Sequence, residues 1–151
     1  MGTIIGAHHT SYSVSNMQQS LAFYRDLLGF ELIHDRPEVT NRYFRTIVGI
    51  PDCVVHAVLL QIPGTTHTLE LFEYKHPRGE RQKITTPNNP GSSHIAYFVD
   101  DLRSLYTRLK EAGVEFFTEP VYLDEGPNEG GWAVYMKDPD GIIIELFQSK
   151  P

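Results

Sequence analysis

The chain is poor in the features that would tie it to the surface of a membrane, a nucleic acid or a disulfide scaffold. It has one cysteine, Cys53, so a disulfide framework and a cysteine-built zinc site are both excluded, and a reducing compartment fits. No apolar run is long. The longest, VVHAVLL and GIIIELF, are strand-sized and far too short to cross a bilayer as a helix. Basic residues are outnumbered, 13 Lys and Arg against 19 Asp and Glu, and the formal charge of -6 comes with no Lys/Arg cluster. Neither nucleic acid nor an anionic membrane is therefore an expected partner. The opening stretch MGTIIGAHHTSYS has no basic segment followed by an apolar core, so it does not read as a secretory leader, and a soluble cytoplasmic protein is expected. What remains is ordinary globular composition, 40% hydrophobic and 21% charged over 151 residues, enough for one well-buried domain or two small fused modules.

What is present is said nearly twice. In the first half, strand-like alternation over residues 4–14 leads to Ser15-Asn16, where Ser15-x-x-Gln18 has capping-box spacing. Met17, Leu21, Tyr24 and Leu28 then form one apolar helical face, ended by Gly29. A short strand over 30–34, an irregular stretch over 36–52 and two strands over 54–62 and 66–74, joined at Pro63-Gly64, complete the half. The second half repeats the order. A strand spans 93–99, and Asp100 or Asp101 caps a helix with Leu102, Leu105, Tyr106 and Leu109 on its apolar face. Strands follow over 114–117, 132–137 and 142–148, the last after the turn Asp138-Pro139-Asp140-Gly141. The expected fold class is α+β, two tandem βαβββ modules at 1–74 and 92–151 joined by a polar connector at 75–91, together one globular unit because neither module buries both faces of its own sheet.

Each half offers an early histidine and a late glutamate on strands: His9 in HTSYSV and His94 in HIAYFV, Glu70 in LELF and Glu145 in IELF. The histidines are 85 residues apart and the glutamates 75, the difference falling in loops where insertions cost little. A carboxylate inside IIIELF or TLELF needs compensation if buried, and neither strand has a basic neighbour in sequence. Imidazole nitrogens and carboxylate oxygens together suit a borderline divalent metal. The four residues are accordingly the candidate ligands.

The segments HTSYSVSNMQQSLAFYRDLLGFEL, LELFEY, SSHIAYFVDDL and YMKDPDGIIIELFQ resemble the vicinal oxygen chelate superfamily, which includes glyoxalase I, methylmalonyl-CoA epimerase, extradiol dioxygenases and fosfomycin and bleomycin resistance proteins. The resemblance spans essentially the whole chain. It implies paired βαβββ modules forming a cupped, incompletely closed mixed β-barrel with helices outside, one divalent ion (Ni, Co, Zn, Mn or Fe) and, by analogy, a homodimer. It also selects His9 over His8, which should face away, and Glu70 over Glu73, since these keep the frame of His94 and Glu145.

A His-Glu-His-Glu set resembles the glyoxalase I type. There the metal grips adjacent oxygens of a small substrate and stabilises an enediolate while a carboxylate, here Glu145 or Glu70, moves a proton. The chain has Ser13-Val14 and Tyr74 where glyoxalase I enzymes usually hold glutathione, which leaves the thiol open. Two alternatives stand behind this reading. The run VYMKDPDGIIIE fits the tail of an extradiol Fe(II) dioxygenase and brings Tyr135 near the substrate, but the histidine such an enzyme needs near 126–128 is missing. A non-enzymatic antibiotic-resistance or ligand-sequestering protein would often have lost the ligands that this chain keeps. Among other residues, Arg42, Arg45 and Tyr43 are read as solvated unless they bind a substrate carboxylate, and Trp132 and Phe72 as packing. His34, His56, His67 and His76 read as surface groups, and residues 87–90 as a candidate lid hinge.

Overall fold

The computed structural model describes residues 1–81 and 86–150. The chain divides into two units, Met1–Arg81 and Gln82–Pro151. Each unit has a four-stranded mixed sheet. The first unit runs β1 (His9–Ser13), α1 (Met17–Leu21, continuing as a π-helix over Ala22–Leu27), β2 (Glu31–Val39), α2 (Arg42–Val48), β3 (Val54–Gln61) and β4 (Thr68–His76), in the sheet order β1-β4-β3-β2. The second runs β5 (His94–Phe98), α3 (Leu102–Glu111), β6 (Val121–Tyr122), β7 (Trp132–Lys137) and β8 (Ile143–Gln148), in the order β5-β8-β7-β6. The tandem βαβββ plan is therefore present, with α2 inserted in the first copy. In each copy the first and last strands are parallel neighbours, and the remaining pairings are antiparallel. Neither sheet closes on itself.

The helix starts repeat to the residue. Asn16 Oδ1 accepts the Gln19 N–H at 3.0 Å, and Asp101 Oδ1 accepts that of Ser104 at 3.0 Å. Asn16 thus takes the cap that the Ser15-x-x-Gln18 spacing suggested for Ser15. One residue beyond each cap, the first helical N–H is met by a side chain from the last strand: Glu73 Oε2 at 3.1 Å from Met17 N, and Gln148 Oε1 at 2.8 Å from Leu102 N. These two clamps tie each helix to one face of its sheet. On that face Leu69 and Leu71 in the first unit, and Ile144 and Leu146 in the second, are almost fully buried. The π-turn rotates the helical face, so Phe23 joins Tyr24 in the core while Leu21 and Leu28 are only half buried.

Two stretches differ from the sequence expectation. Residues 36–52 are not irregular: β2 extends through Pro37 to Val39 and α2 follows. Pro37 is tolerated because β2 is an edge strand and its register slips between Arg36 and Val39. The signals for α2 were Phe44 and Val48 one turn apart and Gly49, whose φ of 72° supplies the left-handed C-cap. Phe44, Val48 and Ile50 pack on a core of Val39, Cys53 and Val55, together with Phe72 and Tyr74. Conversely, the strand expected at 114–117 shrinks to a single bridge between Phe116 and Met136. The 75–91 connector includes residues 82–85, which lie outside the described residues. Its Asn88-Asn89 portion is a turn, with Ser92 N–H on the Asn89 carbonyl at 2.9 Å. Among the described residues no helix is long and apolar enough to cross a membrane.

Candidate functional site

Strand alternation puts the candidate ligands on one face of each sheet, the face opposite the helical clamp. On β4, Glu70 pairs with Ser11 of β1 and Leu59 of β3, while Glu73, three residues on, turns to α1. On β8, Glu145 pairs with Ala96 of β5 and Tyr135 of β7. In each unit the histidine one diagonal step away reaches the carboxylate. His9 Nε2 lies 3.0 Å from Glu70 Oε2, and His94 Nε2 lies 3.2 Å from Glu145 Oε2. The side chains are partly open, 37% and 27% exposed in the first pair and 38% and 20% in the second. The glutamates are therefore not deeply buried, as their apolar neighbours in sequence suggested. Among the described residues the buried carboxylates are Asp138, which accepts the Asp140 and Ile142 N–H groups, and Glu73, held by Lys75 at 2.8 Å and by its helix cap.

The surroundings of the pairs differ. His9 has both ring nitrogens occupied, because His8 Nδ1 lies 2.7 Å from His9 Nδ1. His8 does not face away; it precedes β1, so strand alternation does not reach it. His94 is flanked instead by Tyr135, whose hydroxyl is 3.3 Å from Nε2 and whose ring centroid is 4.9 Å from the imidazole. Burial raises the Tyr135 pKa above its ordinary value, and the negative charge of Glu145 adds to this, so the hydroxyl stays protonated as a donor at neutral pH.

Imidazole nitrogen and carboxylate oxygen are a suitable donor set for a first-row divalent ion. Two such ligands, each about 2.0–2.2 Å from a metal and at right angles, stand about 3 Å apart. The observed N···O separations of 3.0 and 3.2 Å match that spacing. Among the described residues no group of three or more His, Cys, Asp or Glu is placed to hold a metal ion. What the structure brings together is two pairs, one per unit.

The remaining candidates are placed elsewhere. Arg42 and Arg45 line a shallow cavity of about 410 Å³ with Thr40, Thr46, Gly49 and Pro51, and Arg45 Nε donates to the Cys53 carbonyl at 2.9 Å. This is the far end of the first sheet, where Val39 pairs with Val55, four residues along β3 from Leu59. Tyr43 is exposed. Phe72 packs edge-on against Phe44, and Trp132 is covered by Arg103 and Tyr122. His56 pairs with Asp35, His76 with Asp52, and His67 with the Thr10 hydroxyl. The sequence reading passed over Gln148 and Lys137, although the 75-residue offset from Glu73 points to Gln148.

The model of the Glyoxalase/Bleomycin resistance protein/Dioxygenase superfamily matches residues 6–146. The chain belongs to this superfamily. It is 31% identical over 144 residues to a lactoylglutathione lyase of Neisseria meningitidis, covering 94% of this chain and 89% of that one. It is 25% identical over 145 residues to a 2-epi-5-epi-valiolone epimerase of Actinomyces sp, covering 95% and 79%. Among solved structures, a glyoxalase family protein from Bacillus cereus superposes with a TM-score of 0.86 at 18% identity, over 99% and 97% of the two chains.

Proposed function

We propose that this superfamily member is a metal-dependent isomerase or lyase of glyoxalase type, with His9, Glu70, His94 and Glu145, one His–Glu pair in each unit, as its metal-ligating residues. The observation that carries the reading is the recurrence of one His–Glu contact, Nε2 to Oε2 at 3.0 and 3.2 Å, on equivalent strands of both units. Relatives named for lyase and epimerase activity support it, since proton transfer beside a carbonyl serves both kinds of reaction.

The bound ion supplies Lewis acidity to adjacent substrate oxygens, stabilising negative charge that develops on them. The protein's own groups then divide the work. Each His–Glu pair, set on neighbouring strands, would hold the ion and so orient the substrate oxygens. Glu145 takes the proton from the carbon beside the carbonyl, its carboxylate being the less exposed of the two and paired across the sheet with Tyr135. Tyr135, kept protonated, donates a hydrogen bond toward the developing oxyanion. Glu70 on the first sheet, opposite Leu59, holds its place as a ligand.

The test is solvent exchange. Protein loaded in turn with nickel, cobalt, zinc and manganese is incubated in D2O with the hemithioacetal of methylglyoxal and glutathione and with a panel of hydroxyketones. Deuterium at the carbon beside the carbonyl, lost on chelation and in Glu145→Gln, is the expected result. Ring opening of catechols by the iron-loaded protein, without such exchange, would replace the reading with the dioxygenase one.

A further inference from the structure

The row of side chains that contains His94 ends in a cation. Across the second sheet Lys137 of β7 pairs with Ile143 of β8, which pairs with His94 of β5. Lys137 is two residues from Tyr135, the partner of Glu145, and so projects from the same face. It is the sole Lys or Arg in β5, β7 and β8. Its side chain is only 21% exposed, its ammonium lies 5.2 Å from the Phe117 ring centroid, and it is paired with Glu115, which is 68% exposed. A largely covered ammonium held by a solvent-facing carboxylate can exchange that partner for another carboxylate without losing its compensation.

The rings between Lys137 and the His94–Glu145 pair are continuous. Phe117 meets Tyr135 edge-on at 6.0 Å, and Tyr135 meets His94 at 4.9 Å. Two strand spacings separate Lys137 from His94, about 10 Å between backbones. The same row in the first sheet, His9–Thr68–Gln61–Glu31, has a neutral amide at the place of Lys137 and no cation. That amide is engaged locally, Gln61 Nε2 donating to the carbonyls of Thr65 at 2.7 Å and His67 at 3.1 Å. Only the second sheet therefore combines a His–Glu pair, an aromatic wall and a cation that another anion can claim.

We infer that Lys137 is a specificity residue, and that the substrate is a small hydroxy or oxo acid with a second, remote carboxylate. The vicinal oxygens lie at the His94–Glu145 pair, the carbon chain lies over Tyr135 and Phe117, and the remote carboxylate displaces Glu115 from Lys137. This rests on the metal-dependent reading above and adds the charge of the substrate to it.

Calorimetric titration of metal-loaded protein tests the inference without turnover, with 2-hydroxyglutarate and 2-hydroxypentanoate as probes that differ in the remote carboxylate. Wild type should bind the diacid about tenfold or more tightly than the monoacid, as a charge-assisted hydrogen bond implies. Lys137→Met should bring the ratio to about one and Lys137→Arg should restore most of it. Glu115→Gln, a change at an exposed side chain, should raise the ratio by removing the competitor. An unchanged ratio in a folded Lys137→Met protein that still binds the monoacid would overturn the role of Lys137 alone. Binding of neither probe by metal-loaded wild type would overturn it together with the reading on which it rests.

Discussion

Where the first sheet places Leu59 opposite its glutamate, the second places Tyr135, and where the first has Gln61 in the row of its histidine, the second has Lys137. The first unit also carries an extra helix, α2, whose Phe44 and Val48 cover the end of the same sheet face at Val55, Phe72 and Tyr74. The counterpart region of the second unit has a two-residue β6 and a single bridge, and Phe117, Val121 and Tyr122 are left exposed. A duplicated scaffold has thus kept its ligand pairs and its clamps while its halves diverged. One half invested in packing around the pair, and the other presents a hydroxyl, aromatic rings and a cation beside it.

The largest expected effect breaks this division outright. Glu145→Gln should lower kcat by about 10²–10⁴-fold, the usual range for loss of a general base, while keeping much of the metal. Glu70→Gln should act mainly through metal content, with activity partly recovered at high metal concentration. Metal analysis and steady-state kinetics on the two variants side by side decide the point. Equal losses of kcat at full metal occupancy would mean that the two carboxylates share the proton transfer and that the neighbours of Glu145 confer no special role.

A second contrast concerns the residue that enters the third strand of each copy. In the first unit it is Cys53, fully buried under α2. In the second it is Gly131, where a Cβ would stand 2.8 Å from the Gln148 carbonyl oxygen and 3.1 Å from that of Asn128. Gly131→Ala must move backbone and should cost about 1–3 kcal/mol in denaturant unfolding. Cys53→Ala loses one sulfur from a packed cluster, and a cost nearer 1 kcal/mol is expected. A Gly131→Ala protein as stable as wild type would show that the close approach to β8 is not a constraint.

Much of this duplication was legible before any coordinates. His9 and His94, Glu70 and Glu145, and the helix stops at Gly29 and Gly113 stand out because period and offset survive in the residues themselves. The tandem plan followed from them, while the superfamily was reached through the resemblance of the segments around them. What was not legible depends on neighbours distant in sequence. The α2 helix was hidden by Pro37 and Pro51, which punctuate the stretch without saying that an edge strand tolerates one and a loop the other. The half-open state of Glu70 and Glu145 could not be read from ELF, since strand sequence does not report what covers the second face. Lys137 sits in a turn-like YMKDPDG context, and only cross-strand register puts it in the row of His94.

The clamps supply a smaller test. Glu73→Ala and Gln148→Ala each leave the first helical N–H, Met17 or Leu102, without its partner from the last strand. Each should cost about 1–3 kcal/mol, the penalty for orphaning a covered donor. Glu73→Ala should cost more, since Lys75 also loses its carboxylate. Thermal unfolding of the two variants checks the order. A smaller cost for Glu73→Ala would indicate that burying the carboxylate offsets what its contacts contribute.

The smallest expected difference is in acid. Burial works against ionisation of Glu73, but it is outweighed by the hydrogen bond from Lys75, the Met17 N–H and the nearby charges of Lys75 and His56, so its pKa falls below the ordinary 4.5. A carboxyl with a depressed folded-state pKa contributes stability that is fully present above its unfolded value. The contribution is lost as pH drops from about 4.5 through the folded value. The amide of Gln148 has no such dependence. Glu73→Gln should therefore be less stable than wild type at neutral pH and lose less on acidification below 4.5, so that the two unfolding curves draw together. Parallel curves down to the acid transition would mean that Glu73 titrates alike in the folded and unfolded chains, and the charged clamp of the first unit would then be equivalent to the neutral clamp of the second.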